Sequence, residues 1–242
     1  MSIDRQFRNS VRDKYNSLTQ IWGEGDEWHL LVHDEIAAAI DRLNEQYRFT
    51  HDLVVDIVSG GILQSIPHRT YIELDIALER LLGHKMAICA DAHALPLPNG
   101  IADCVICVGP VINYCSLIET ITEIGRITRT GGVVVLHVEL SNSLEFLFTP
   151  HFRQDVALVT TFYRGTERIW VYSKQNVIRT LARAGFQIHD RRYFHIASAL
   201  AYRVLKSPNA AARFKILDAA LRRIPRIAEL ADSAIFICSK EA

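Results

Sequence analysis

Short apolar runs recur between residues 53 and 140, and each is separated from the next by a turn or a helical pattern. The runs are "LVVDIV" (53–58), "TYIEL" (70–74), "KMAIC" (85–89), "ADCVICV" (102–108) and "VVVLHVEL" (133–140). Runs this short and this rich in β-branched residues read as buried strands, and the last is continuous as parallel core strands are. "IALERLLG" reads as a short helix between the second and third strands. "SLIETITEIGRITRT" (116–130) reads as an amphipathic helix with Ile118, Ile121, Ile124 and Ile127 inward, stopped by Gly131-Gly132. Strands alternating with helices at this spacing imply an α/β fold with a mostly parallel sheet and right-handed crossovers.

The flanking segments extend that plan. Residues 26–48 read as a helix, with Ile36, Ile40, Leu43 and Tyr47 on one face. "SKQNVIRTLARAGF" reads as a helix that Ser173 caps and Gly185 ends. "FQIHDRR" (186–192) and "SAIFICSK" (233–240) complete seven strands. Residues 1–50 are expected to form a helical cap. An irregular, aromatic stretch at 141–172 and a helical stretch at 195–230 are expected as lid insertions, all within one domain spanning 1–242.

Composition narrows the setting. The 242 residues are 49% hydrophobic and 22% charged, an ordinary globular balance. Lys+Arg and Asp+Glu number 27 each, so net charge gives no reason to expect nucleic acid. The charged start "MSIDRQFRNSVRDK" reads as no signal peptide, and no apolar run approaches a membrane span. Five cysteines, an odd number, fit reduced thiols in a cytoplasm. Cys104 and Cys107 form a C-x-x-C inside a strand, so their side chains are expected on opposite faces. That pattern suits buried thiols better than a metal or redox site, and no metal is expected.

In an open α/β sheet, ligands sit outside the carboxyl ends of the strands. Those ends deliver Asp56, Ser59, Gly60 and Gly61, then Asp75, then Asp91, Ala92 and His93, then Asn113 and Tyr114, then Glu139. Three aspartates at successive strand ends on one rim suit a ribose diol or an exocyclic amine and repel phosphate. The first crossover, 59–70, is near the minimum for a parallel pair, and Pro67 restricts any helix in it. It offers little helix dipole to a pyrophosphate, which argues against NAD or FAD.

From Leu53 to Leu140 the chain resembles the class I S-adenosylmethionine-dependent methyltransferases, of the small-molecule group that includes the ubiquinone-biosynthesis enzymes. "VVDIVSGG", "YIELDIAL", "ADAHALPLPNGIADCVICVGPVINY" and "ITEIGRITRTGGVVVLHVEL" carry the likeness, and "VYSKQNVIRTLARAGFQI" extends it. The resemblance implies a Rossmann-like seven-stranded sheet with helices on both faces, and S-adenosyl-L-methionine as cofactor. It implies that Asp75 holds the ribose hydroxyls, that Asp91 meets the adenine amine, and that Ile76 and Ala92 wall the adenosine. Asp56, Ser59, Gly60 and Gly61 belong to its glycine motif, which departs from the pattern. The first glycine is Val58 and the third is Ile62.

The expected activity is methyl transfer to a small-molecule acceptor in a biosynthetic, cytoplasmic setting. The alternative is a catalytically inactive methyltransferase-like scaffold acting as a binding or partner subunit. Tyr114, Glu139 and His151 are candidates for contact with the acceptor, and no general base is assigned. Phe146, Phe148, Phe152, Phe162, Tyr163 and Trp170 either line an acceptor pocket or pack a lid. A basic run from Arg203 to Arg226 with an apolar stripe is either a solvated helix face or a surface for an anionic acceptor, a carrier protein or a membrane. A carrier protein and a second copy of the chain stay open as partners.

Overall fold

The computed structural model describes residues 5–18, 25–47, 50–58, 64–162 and 166–241. Two helices come first, α1 (Arg5–Ser17) and α2 (Glu27–Gln46), with Asp26 accepting the His29 amide as the cap of the second. The strands β1 (His51–Ile57), β2 (His68–Asp75), β3 (Ala87–Cys89), β4 (Ala102–Cys107) and β5 (Thr128–Glu139) follow, with α3 (Leu117–Ile127) entering β5. A hairpin of β6 (Val156–Thr161) and β7 (Glu167–Tyr172) comes next. Then come α4 (Lys174–Arg183), β8 (Phe186–Phe194), the helices α5 (Ala197–Leu205), α6 (Pro208–Ala212), α7 (Lys215–Leu221) and α8 (Pro225–Ala228), and β9 (Ser233–Lys240).

Seven strands form one sheet in the order β3-β2-β1-β4-β5-β9-β8. The first five are parallel, and β9 runs antiparallel between β5 and β8. This is the expected Rossmann-like, mostly parallel α/β sheet. Its two faces read directly from the strand alternation. Val55, Val105, Cys107, Val134 and Leu136 pack with α3 and α4 on one face. Val54, Cys104, Ile106, Val133 and Val135 pack with α2 on the other. Cys104 and Cys107 therefore lie on opposite faces, both buried as free thiols. Among the described residues no group of His, Cys, Asp and Glu is placed to hold a metal, and no helix is long and apolar enough to cross a membrane.

Four local expectations need correction. "IALERLLG" forms only a single 3-10 turn, Leu78–Arg80. Helix α3 stops at Ile127, ahead of the Gly131-Gly132 pair. Those glycines sit in β5, where its register with β4 shifts. A Cβ on Gly132 would lie 2.8 Å from Thr128 Cγ2 and 2.9 Å from the Arg129 carbonyl, so close backbone approach explains that glycine. Ile118 faces solvent, because three-residue steps drift off a 3.6-residue stripe within a few turns. Lastly, 141–172 is not irregular throughout, for its second half is the β6–β7 hairpin.

The inserted segments sit in different places. The hairpin packs with Tyr114, Phe146 and residues of α1 in a small cluster above the sheet. Residues 195–230 pack against α2 and the turn Leu144–Phe146. Arg222 pairs with Glu35 of α2, Asn209 accepts the Glu27 amide, and Arg203 donates to the Glu145 carbonyl. Within the segment, the Asp218 carboxylate accepts the amides of Ile196, Ala197 and Ser198 (2.9, 2.5 and 3.2 Å) and ties α7 to the start of α5.

Candidate active site

The carboxyl ends of the parallel strands surround a cavity of about 1590 Å³, its open mouth included. Asp56 ends β1 there, and Asp75 with Ile76 ends β2. Asp91, Ala92 and His93 follow β3, Gly109 and Tyr114 follow β4, and Glu139 ends β5. Of the residues singled out from sequence, Asp56, Asp75, Ile76, Asp91, Ala92, Tyr114 and Glu139 all line this one cavity. Ser59, Gly60 and Gly61 lie outside the described residues. His151 is not brought to the cavity; its ring packs edge-on to Phe146, with centroids 6.3 Å apart. The aromatic insertion also stays outside the lining. Phe146 is buried in the hairpin cluster, Phe152 packs on it, Trp170 leans on the sheet core, and Phe148 and Phe162 are exposed. Tyr163 lies outside the described residues.

Each carboxylate has its own environment. Asp75 is buried, and its Oδ1 accepts the Ala77 amide at 2.8 Å, which fixes the carboxylate at the strand end. Asp91 Oδ1 accepts from the His93 amide (3.0 Å) and from His93 Nδ1 (2.5 Å). The Ser116 amide donates to His93 Nε2 at 2.8 Å, so the proton of that imidazole stays on Nδ1, facing Asp91. Arg8 of α1 donates to Asp91 Oδ2 at 2.6 Å. Burial would raise the Asp91 carboxyl, but His93 and Arg8 outweigh it and hold it at about 2. Asp91 is thus a fixed anion at the rim.

Asp56 is the opposite case. Its Oδ2 accepts from Tyr71 Oη at 2.6 Å, while its buried Oδ1 has no hydrogen-bond partner among the described residues. Burial pushes this carboxyl up to about 7 against the Tyr71 hydrogen bond. Glu139 is likewise raised by burial, with Asp232, Glu145 and Glu167 adding repulsion. Asn113 clamps the backbone at that point: its Nδ2 donates to the Glu139 carbonyl (3.0 Å) and its Oδ1 accepts the Glu139 amide (2.9 Å).

The roof contains residues that the sequence reading did not assign. Helix α1 supplies Arg8, Val11, Lys14, Tyr15 and Leu18 to the lining, and the hairpin supplies Glu167. Tyr114 donates to Glu167 at 2.5 Å, Tyr15 donates to Tyr114 at 3.3 Å, and Lys14 pairs with Glu167. The stripe 8, 11, 15, 18 is a helical period and was available in the sequence. No local signal marks Glu167, which faces the cavity only because the hairpin folds back.

Residues 62–136 match the family profile described as a methyltransferase domain. The fold is that of the class I S-adenosylmethionine-dependent methyltransferases. Solved methyltransferases superpose over nearly their whole length at low identity. Geranyl diphosphate C-methyltransferase from Streptomyces coelicolor A3(2) shares 11% identity at a TM-score of 0.59, covering 99% of this chain and 100% of its own. The 1,6-didemethyltoxoflavin-N1-methyltransferase of Burkholderia thailandensis shares 11% at 0.58, covering 100% and 92%. An S-adenosylmethionine-dependent methyltransferase from Clostridium acetobutylicum shares 11% at 0.57, covering 97% and 99%. No curated protein matches the chain. The likeness to class I methyltransferases read from sequence therefore holds in fold.

Proposed function

We propose that this methyltransferase-fold chain transfers a methyl group from S-adenosylmethionine to a small-molecule acceptor, in a biosynthetic and cytoplasmic setting. One observation carries the reading: Asp56, Asp75 and Asp91, with Ile76 and Ala92 between them, line one cavity at the strand ends. When bound, the cofactor supplies a methyl group on a sulfonium, already activated for in-line displacement. The residues fit such a ligand. Asp75 accepts from the ribose diol and Asp91 from the adenine amine, while Ile76 and Ala92 form apolar walls. The unpartnered Oδ1 of Asp56 is an acceptor for a cationic amino group, and Ser59, Gly60 and Gly61 are assigned to the methionine end.

The acceptor occupies the space beneath Tyr15, Tyr114, Glu139 and Glu167. There the chain contributes alignment, and positioning alone is worth up to about 7–11 kcal/mol in ideal cases. Glu139 lines this space and is assigned to exchange a proton with an acceptor hydroxyl or amine. The likeness of subtype to the ubiquinone-biosynthesis enzymes, and a carrier protein or second copy as partner, belong to this reading as well. A second reading, a scaffold without catalysis, is favoured by Val58, which stands in the glycine motif with φ 59°.

Calorimetry decides between them. S-adenosylhomocysteine is expected to bind the wild-type protein, and Asp75→Ala to weaken it by about 1.5–3 kcal/mol, with thermal unfolding reporting that the variant folds. Asp91→Asn keeps an acceptor and is expected to weaken it less than Asp91→Ala. A folded wild-type protein that binds neither S-adenosylmethionine nor S-adenosylhomocysteine favours the scaffold. Binding that Asp75→Ala leaves intact removes the ribose assignment.

A further inference from the structure

Between Ala197 and Leu230 the chain carries seven Lys and Arg, in a protein whose acidic and basic residues cancel over the whole chain. The acids in that stretch are Asp218 and Glu229. Asp218 is buried under the start of α5, and Glu229 pairs with Lys174 at 2.6 Å. Lys206, Arg213, Lys215, Arg223 and Arg226 are all exposed.

The same helices also turn large apolar side chains outward. Leu200 and Val204 sit one turn apart on α5, and Val204 is 74% exposed. Ile216 on α7 is 78% exposed, and Leu205, Leu217 and Ile224 are open as well. These side chains are not an overflow of the core. The inward faces already hold the helices, through Tyr202 against Trp28, through Ala211 and through the Asp218 bonds. The surface continues toward the cavity mouth. Phe162, exposed and adjacent to the lining residue Thr161, donates its backbone amide to the Tyr202 hydroxyl, and Phe148 follows the turn that packs on α5.

We propose that the face built by α5, α6, α7 and α8 docks on a bilayer surface rich in anionic phospholipid. Apolar side chains interleaved with cations suit the headgroup boundary, where the former enter the acyl region and the latter meet phosphate. A nucleic acid satisfies the cations but leaves Val204 and Ile216 against a charged backbone. A second copy packed through the same face sets cations against cations, since a two-fold interface is self-facing. The proposal stands on exposure and charge alone and is independent of the methyl-transfer reading.

The test is co-sedimentation of the full chain with vesicles of phosphatidylcholine alone and of an equal mixture with phosphatidylglycerol. Binding is expected to the mixed vesicles, to weaken with added salt, and to be far lower on the neutral ones. Lys215→Gln with Arg223→Gln and Arg226→Gln is expected to lower the partition coefficient about a hundredfold, at roughly fivefold per cation. Val204→Asp with Ile216→Asp is expected to abolish binding, while thermal unfolding and circular dichroism report that both variants fold. Absence of binding to mixed vesicles overturns the proposal, as does binding that both variants retain. A concentration-dependent dimer that the aspartate variant breaks, with no vesicle binding, assigns the face to self-association instead.

Discussion

Val58 concentrates the tension in this site. It follows β1, lines the cavity, and holds φ at 59°, in the left-handed region where a β-branched side chain is strained. That is the conformation a glycine supplies freely, which gives a backbone reason for the family's glycine at this position. The left-handed region costs an L-residue about 1–2 kcal/mol, and glycine brings an opposing loss of about 0.5–1 kcal/mol in chain entropy. Val58→Gly is therefore expected to stabilise the fold by up to about 1 kcal/mol in urea unfolding. It is also expected to tighten S-adenosylmethionine while leaving adenosine unchanged, because the obstruction lies at the methionine end. A variant less stable than wild type, or equal gains for both ligands, removes Val58 as the obstacle.

Helix α1 is the element that decides access. None of its residues is buried to core levels, and 13 residues in isolation make a marginal helix. It is held by polar contacts at the cavity rim, Arg8 to Asp91, Lys14 to Glu167 and Tyr15 to Tyr114, and by Phe7, Val11 and Tyr15 against the hairpin cluster, partly buried only. Elements attached this way open at low free energy. The amides of α1 are expected to exchange with deuterium far faster than those of α3 and α4, whose inner faces lie in the sheet core. S-adenosylhomocysteine is expected to slow exchange in α1, and Arg8→Ala to speed it. Exchange in α1 as slow as in α3, or indifferent to the ligand, rules out this role. The other element-scale device is less mobile: Gly132 lets the start of β5 shift against β4, and it leaves no room for a side chain.

At the scale of the molecule, buried titratable groups tie stability to pH. Burial raises Asp56 to about 7 and Asp232 to about 8, and it raises Glu139 also. Carboxyls of the unfolded chain ionise near 4. Over the interval between, the native state holds more protons, so the stability these groups contribute is lost as pH rises through their folded values. The histidines act from the other side. Burial lowers His137 to about 4 and His195 well below its usual 6.5, so their contribution fades as pH falls through 6.5. Above that point the carboxyls act alone. The urea midpoint of the ligand-free protein is expected to fall between pH 6.5 and about 8, by at most about 1.4 kcal/mol per unit for each carboxyl still protonated. Asp56→Asn is expected to flatten the slope. A midpoint that rises over this interval contradicts the assignment.

Much of this molecule follows from local pattern. The alternation in "LVVDIV", "ADCVICV" and "VVVLHVEL" assigns each residue to one face of the sheet, because side chains of a strand alternate and both faces are covered by helices. Ser173 and Gly185 bound α4 because capping depends on neighbours in sequence, and "SAIFICSK" matches β9 residue for residue. Asp75, Asp91 and Glu139 meet in one cavity because parallel strands all end on the same edge. Long-range contact decided the rest. Neither Arg8 over Asp91 nor Glu167 against Tyr114 has a local signal, since partners 83 and 53 residues apart meet only through the path of the chain. His151 is held outside the cavity by the turn that packs it on Phe146, and 195–230 is tied to α2 by distant partners such as Arg222 and Glu35, 187 residues apart. Short-range geometry and the period of burial are properties of the sequence; which distant surfaces meet is fixed by packing, and it is packing that roofs this cavity.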